Sequence, residues 1–556
     1  MRSTRELCTA VRRGVTAIRQ VTATRGTHVK STNDGVQQTR NSVAGSRLVT
    51  RSSSGLAGSS SSTIQTTTDD VHNSIHSRPV STHPDTRQVQ SATSLSQWVD
   101  NEKKWLFPAD SRFMKMFNVV KNGANGQGAR ITYKSKVPIT PQMMETALHC
   151  LTRKANSFRT CLQYRGDELW VVELMKPDLD FKVLEGVTNV EQELMDLIVQ
   201  PCQLFEGPLW SARMLLPQEG HQDTNDPYPY TCQLLVSLNH AIHDGVGLYW
   251  IIFWMLEMLD KILSGVQIND QPFGILHSGF EYRQEEDKIR KELLKDPLTL
   301  RRLLNEQAGK NTIPLIAEAF GLPEDENPVT IPLETEVISG QIMEQLVKKC
   351  KSVGVTQNSY VLAAYNVALV ELIQEAGLDR DVYNITNIIP INTRRFVTES
   401  GFHLGCYSMP LHHTTSTPKD VKNNFWQYAK EIDNSVRGEM KNKKFLTDSV
   451  LDMMLQEEGH IIPNTQCDFP PLKYDYTFSN IYGAPMPSSA VGKNIKLDYF
   501  CNLNAIEKTS VGSISAMSSH GKEAHIKTCN SSRYMTEETA SRWNKIIVRI
   551  LLHEAM

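Results

Sequence analysis

The chain has no hydrophobic run long enough to cross a bilayer. Its most apolar stretch, residues 249–263, is interrupted by Glu257, Asp260 and Lys261 and falls short of the roughly 20 residues that a span requires. It also lacks an excess of charge of either sign. With 59 basic and 61 acidic residues the formal net charge is −2, so no overall field draws the protein to nucleic acid or anionic lipid, and nucleic acid is not an expected partner. The ten cysteines are scattered, with no C-x-x-C pair and no zinc-like spacing; this excludes a compact disulfide framework and points to a reduced, intracellular compartment. The opening residues contain no signal-peptide hydrophobic region.

What is present is a chain of 556 residues, 40% of them hydrophobic, enough for one large core or two ordinary ones, and two is the better expectation. Residues 1–93 are set apart by their Ser, Thr, Gly and Gln content and by the lack of any sustained apolar period, so a disordered tail is expected there. Leu7, Val11, Val15 and Ile18 would share one helical face, Arg12, Arg13 and Arg19 lie elsewhere, and acidic residues are sparse up to Ser62. That is how a mitochondrial transit peptide is composed. An ordinary low-complexity tail fits the same residues, and the protein is then expected in the cytoplasm.

Three further parts follow: an N-terminal lobe over 94–264, a charged helical bridge over 265–327 and a C-terminal lobe over 328–556. In the first, the pattern predicts a short helix over 94–105 and an alternating strand over 129–137. A helix capped by Thr140, with Pro141 in its first turn, carries Met144, Ala147, Leu148 and Leu151 as an apolar stripe. Strands are predicted near 158–164, 168–174 and 209–216. The bridge is dense in Glu, Lys and Arg, with Leu293, Leu294, Leu298, Leu303 and Leu304 among them, and its charges read as a solvated face. The last part is predicted to hold a strand over 329–337, a helix over 344–353 ended by Gly354, and a helix capped by Thr356. Strands near 382–391, 406–412, 474–481, 511–517 and 524–529 and a terminal helix over 536–553 complete it. Both lobes mix helix with sheet, which makes the fold class α/β, an α+β sandwich.

The most informative segment is Leu234-Leu235-Val236-Ser237-Leu238-Asn239-His240-Ala241-Ile242-His243-Asp244-Gly245, an apolar strand that ends on a histidine and turns through Asp-Gly into a helix. An imidazole at a strand end is held by the sheet while facing a cleft, and its ordinary pKa lets it take a proton near neutral pH. Asp244 supplies a carboxylate to brace the turn, and Gly245 a residue without Cβ where the chain reverses closely. Beyond it, Trp250, Ile251, Trp254, Met255 and Met258 recur at helical spacing, as in a buried helix. His240 with His243 lacks the further ligands a metal would need.

His240, Asp244 and Gly245 resemble the H-x-x-x-D-G motif of the chloramphenicol acetyltransferase-like superfamily, which includes peptide-synthetase condensation domains, plant BAHD acyltransferases, alcohol acetyltransferases and wax ester synthases. Other segments match in order. Thr146-Ala147-Leu148 through Ser157-Phe158-Arg159-Thr160 resembles the first helix and strand, and Gly207-Pro208-Leu209-Trp210 the strand before the motif. Val355-Thr356-Gln357-Asn358-Ser359 through Ala363-Ala364 is similar to a later helix entry, Ile389-Pro390-Ile391-Asn392-Thr393-Arg394 to the "PvNxR" strand and Phe478-Ser479-Asn480-Ile481-Tyr482-Gly483 to the "SNxxG" segment. The resemblance covers about residue 95 to the C-terminus. Asn239 stands where many members carry a first histidine, and the D-F-G-W-G signature of the plant branch is absent.

The resemblance implies two lobes around a central tunnel and acyl transfer from a thioester, acyl-CoA as co-substrate, to an alcohol or amine. It implies His240 as general base, with no covalent intermediate, no metal and no other cofactor. Asp244 is expected to face away from substrate and pair with Arg394; alternation along a strand assigns Arg395 to the opposite face. Ser479, Asn480 and Asn239 are candidates for stabilising the oxyanion or lining the tunnel, and for Ser479 and Asn480 turn hydrogen bonds at a strand end are the competing role. With no visible carrier-protein or adenylation region, ester formation from acyl-CoA is preferred. An amide-forming or carrier-dependent condensation enzyme is one alternative. A silent member that binds an acyl ligand or a protein is another, with Asn239 as its best argument.

Overall fold

The computed structural model describes residues 102–555, except 111–112, 115–125, 201, 217–224, 277, 310–312, 323–326, 397–401, 458–472, 484–491 and 507–511. The readings of 1–93 as a disordered tail or transit peptide lie outside the described residues.

The first lobe is built on a five-stranded sheet in the order Ile495–Asn504, Gln127–Ser135, Tyr230–Leu238, Trp210–Leu215, Phe181–Leu184. Its middle strand, Tyr230–Leu238, ends at the motif. Strand alternation sends Leu234, Val236 and Leu238 into the core beneath the helices Pro141–Lys154 and Gly245–Leu263, while Leu235 packs with Leu194, Leu197 and Ile198 of the helix Val190–Val199. Both faces are covered, and for that reason the strand reads as a continuous apolar run. The helix Pro141–Lys154 starts where predicted, with Thr140 Oγ1 accepting from the Met143 amide at 3.2 Å. The helix predicted over 94–105 is not found in its described part. Lys103–Pro108 is instead a strand paired with Glu168–Leu174, because Trp105 lies opposite Val172 and sets its ring edge-on to Trp170 at 6.2 Å.

The second lobe holds a larger sheet in the order Glu336–Ile338, Glu523–Ser531, Ser513–His520, Tyr476–Asn480, Val382–Asn392, Ser408–Pro418. Thr330–Pro332 also pairs with Glu523–Ser531. The single strand predicted over 329–337 is thus two short ones. Pro332, with no amide hydrogen to give, ends the first, and Leu333 turns into the core. The helix Gln357–Glu375 is buried on nearly all sides, from Tyr360 to Ile373, as a central helix must be. Thr356 caps it, accepting from the Ser359 amide at 3.2 Å.

The bridge forms the helices Phe280–Leu293, Pro297–Gly309 and Leu315–Phe320. Leu293, Leu300, Leu303 and Leu304 pack on Val450, Leu451 and Met454 of the helix Lys444–Glu457, and the charges pair locally on the surface, as in Lys288–Glu285 at 2.7 Å and Arg302–Glu306 at 2.6 Å. Such exposed pairs add little stability. The division at 327/328 does not follow the sheets, since Ile495–Asn504 crosses back and pairs along its length with Gln127–Ser135 of the first lobe. A two-residue parallel contact, Ile275–Leu276 with His403–Leu404, ties the segment after the motif helix to the one after Arg394. Among the described residues no helix is long and apolar enough to cross a membrane.

Candidate active site

The strand Tyr230–Leu238 leaves the sheet through a tight turn. Asn239 donates its amide to the Leu209 carbonyl at 2.9 Å, its side-chain Oδ1 accepts from the Ala241 amide at 2.9 Å, and its carbonyl accepts from Ile242 at 3.1 Å. Asn239 therefore shapes the turn that projects His240. Asp244 closes it as the N-cap of the helix Gly245–Leu263, with Oδ1 accepting from the Gly247 amide at 2.8 Å. Gly245 is required by a close approach. A Cβ there would come within 2.9 Å of Ile481 Cγ2, the residue that follows Ser479 and Asn480.

The second carboxylate oxygen of Asp244 points to the other lobe. Oδ2 accepts from Arg394 Nη1 at 2.7 Å and from the Tyr407 amide at 2.8 Å. Arg394 in turn donates from Nε to the His403 carbonyl at 3.1 Å and from Nη2 to the Gly405 carbonyl at 3.3 Å. Thr393 fixes the same loop, its amide and hydroxyl both donating to the Tyr407 carbonyl at 2.8 Å. Burial opposes the Asp244 charge, but the Arg394 guanidinium and these amides outweigh it and hold the carboxyl below its usual range. The two residues expected to pair are brought together. Arg395 does point elsewhere, though not by strand alternation: Arg394–Phe396 is a 3₁₀ turn, and Arg395 lies over the Phe396 ring.

His240 is partly exposed, and its ring stacks on His243 with centroids 5.3 Å apart. His243 is buried, with Nδ1 3.0 Å from the Asn239 carbonyl and Nε2 2.9 Å from Gln127 Oε1. Burial, and then the neighbouring His240, push it down to about 3, so it stays neutral. One ring N–H serves one of these partners, and the Gln127 amide, turned over, can offer its NH2 group to the other nitrogen. With both nitrogens engaged, His243 is a turn residue. Among the described residues no group of three or more His, Cys, Asp or Glu side chains could hold a metal.

A residue that the sequence did not single out completes the site. Cys406, expected in a strand over 406–412, lies in the loop before the strand Ser408–Pro418, and its Sγ sits 3.4 Å from His240 Nδ1. The same sulfur lies 3.7 Å from the Ser408 carbonyl, to which it can donate. Burial works against a charged His240 ring, while the Cys406 sulfur and then the Asp244 carboxylate favour it; the balance raises His240 to about 9. The position a triad carboxylate would take beside Nδ1 is filled by this sulfur, and Asp244 is engaged with Arg394.

Ser479 and Asn480 are partly buried at the end of the strand Tyr476–Asn480. Asn480 Oδ1 accepts from the Tyr482 amide at 3.0 Å, the turn role, which leaves its NH2 group for another partner. Trp254 stacks on Phe273 at 4.5 Å and meets Phe402 edge-on at 5.3 Å, while Trp250 lies 4.6 Å from Phe402. These rings pack the seam beside Arg394, whose guanidinium lies 5.7 Å from the Phe402 centroid. Two surface clefts of about 290 and 320 Å³ are lined by bridge-helix side chains and residues near Phe445 and Val450, and neither includes His240.

No family model matches this chain, and no curated relative does either. Solved structures do. The chain is similar to the condensation domain of the monacolin K polyketide synthase at 13% identity and a TM-score of 0.56, over 81% of this chain and 97% of that one. It is similar to a trichothecene 15-O-acetyltransferase from Fusarium sporotrichioides at 13% identity and a TM-score of 0.56, over 81% and 94%. A variant of the starter condensation domain of rhizomide synthetase, solved with C8-CoA, matches at 14% identity and a TM-score of 0.53, over 81% and 94%. At these identities the shared property is the fold, the two-lobed architecture of condensation domains and chloramphenicol acetyltransferase-like acyltransferases.

Proposed function

We propose that the chain is an acyltransferase that moves an acyl group from acyl-CoA to an alcohol hydroxyl, with His240 as general base. The observation that carries this reading is the placement of one imidazole on a braced strand-end turn. Nδ1 is engaged by Cys406, and among the described residues Nε2 has no hydrogen-bond partner, which leaves it for the acceptor. In the neutral ring, the form populated as pH rises toward the raised value of about 9, Nε2 takes the hydroxyl proton as the oxygen attacks the thioester carbonyl, then returns it to the departing thiolate. Negative charge grows on the carbonyl oxygen in between. The Ser479 hydroxyl and the Asn480 NH2 group, on the strand end that meets Gly245, are proposed as donors to it. Nothing beyond the acyl thioester is proposed as cofactor.

Two of the similar structures support the choice of substrates, one named as an O-acetyltransferase and one solved with an acyl-CoA. The test is incubation of the purified full chain with octanoyl-CoA and pooled alcohols and amines, followed by mass spectrometry of small molecules and intact protein. An ester and free CoA support the proposal. An amide would make the chain a condensation-type enzyme, and binding without turnover would make it a silent acyl-ligand protein.

A further inference from the structure

We infer that Cys406 is a positioning residue for His240, its sulfur holding the ring through Nδ1 so that Nε2 is the nitrogen presented to the acceptor. This inference rests on the reading of His240 as the base and adds a residue on which that base depends. Three observations converge. Cys406 Sγ lies 3.4 Å from Nδ1, within hydrogen-bond range for sulfur. The thiol hydrogen has an acceptor of its own in the Ser408 carbonyl at 3.7 Å, which frees the sulfur lone pairs to receive Nδ1–H. The loop that carries Cys406 is anchored on both sides: Arg394 binds the His403 and Gly405 carbonyls, and Asp244 binds the Tyr407 amide. The Asp244–Arg394 pair thus reaches the base through the cysteine loop and does not touch the ring itself.

Direction of the bonds decides between positioning and covalent catalysis. A nucleophilic cysteine would need its sulfur on the acceptor side of the ring. Here the sulfur is buried behind the ring, and Cys406 is 5% exposed. Among the described residues, the charged and titratable groups facing His240 are Cys406 from this loop, Asp244 at the helix start, with Arg394 behind it, and the neutral His243 ring stacked against it. The ring also interacts with its own residue's backbone, which favours the charged form as the sulfur does. Loss of the sulfur therefore weakens the hold on the ring without abolishing it. A sulfur that accepts Nδ1–H favours the protonated ring, so its removal should make His240 easier to deprotonate.

The test uses the full chain with isotope-labelled histidine, in wild type, Cys406→Ala, Cys406→Ser and His240→Gln forms; the last identifies the His240 signals. Ring resonances are followed against pH by NMR. The inference expects His240 in Cys406→Ala to titrate lower by roughly one unit, a tenfold change in its protonation equilibrium, and to lose its single tautomer. Cys406→Ser, whose hydroxyl can accept Nδ1–H, should restore the tautomer. The acid limb of octanoyl transfer should move with the titration, with kcat changed more than KM. An unchanged His240 titration and tautomer in Cys406→Ala overturns the inference even if His240 is the base. Octanoyl mass on Cys406 in intact protein overturns it in favour of a covalent route. Activity surviving in His240→Gln would instead overturn the base reading, so the two failures are distinguishable.

Discussion

At the scale of single residues, Asp244 and His243 flank the same turn and differ in what they contribute. Asp244 is a buried carboxylate paired with Arg394, so removing its charge leaves a guanidinium without a counter-ion. Asp244→Asn should destabilise the protein by about 3–5 kcal/mol in urea unfolding and lower acyl transfer with it. Lost activity at unchanged stability would place Asp244 in the chemistry. His243 predicts a pH effect of definite sign. Its folded value of about 3 lies below the ordinary 6.5, so between these values the unfolded chain binds a proton that the folded ring refuses. Stability contributed by this site is complete above 6.5 and falls as pH drops through the window, by about 1.4 kcal/mol per unit. Urea midpoints at several acidic pH values should show a shallower decline in His243→Gln than in wild type. Parallel declines would mean that His243 is charged in the fold. Arg394 was legible because it ends a recognisable segment, whereas Cys406 belongs to no pattern, and only the loop bonds of Arg394 and Asp244 bring it to His240.

At the scale of elements, the motif helix Gly245–Leu263 and the strand end at Ile481 meet so closely that the glycine is a packing requirement. Gly245→Ala forces the Ile481 side chain to move and should cost about 1–3 kcal/mol in thermal unfolding. Pairing it with Ile481→Leu, which removes the opposing Cγ2 methyl while conserving volume, should recover part of the loss. If the double variant is no better than the single one, the contact with Ile481 is not the cause. Elements announced by local chemistry were readable from sequence: Thr140 and Thr356 as caps, Gly354 as a left-handed stop at φ 78°, and the alternating strand Gln127–Ser135. Elements defined by distant partners were not. Ile495–Asn504 belongs to the sheet of the other lobe, which no local pattern states. The helices Val190–Val199, Phe425–Lys441 and Lys444–Glu457 were also missed. Lys103–Pro108 became a strand because Glu168–Leu174 offered an edge and Trp170 a partner for Trp105.

At the scale of the whole molecule, the two lobes meet where each supplies part of the site. The first gives His240 and Asp244; the second gives Arg394, Cys406 and the Ser479–Asn480 strand end. Binding and chemistry can then be separated. Saturating octanoyl-CoA, at about a hundred times its Kd, should raise stability by about 2.7 kcal/mol in wild type and equally in His240→Ala, because the base acts on the acceptor. A shift lost in His240→Ala would make the histidine part of thioester binding. The most direct test of the account is the rate of octanoyl transfer by His240→Ala against wild type, measured by product mass spectrometry on protein whose unfolding midpoint is unchanged. General-base catalysis predicts a loss of about 10²–10⁴-fold in the folded variant. Near-normal transfer by a folded His240→Ala protein would contradict it.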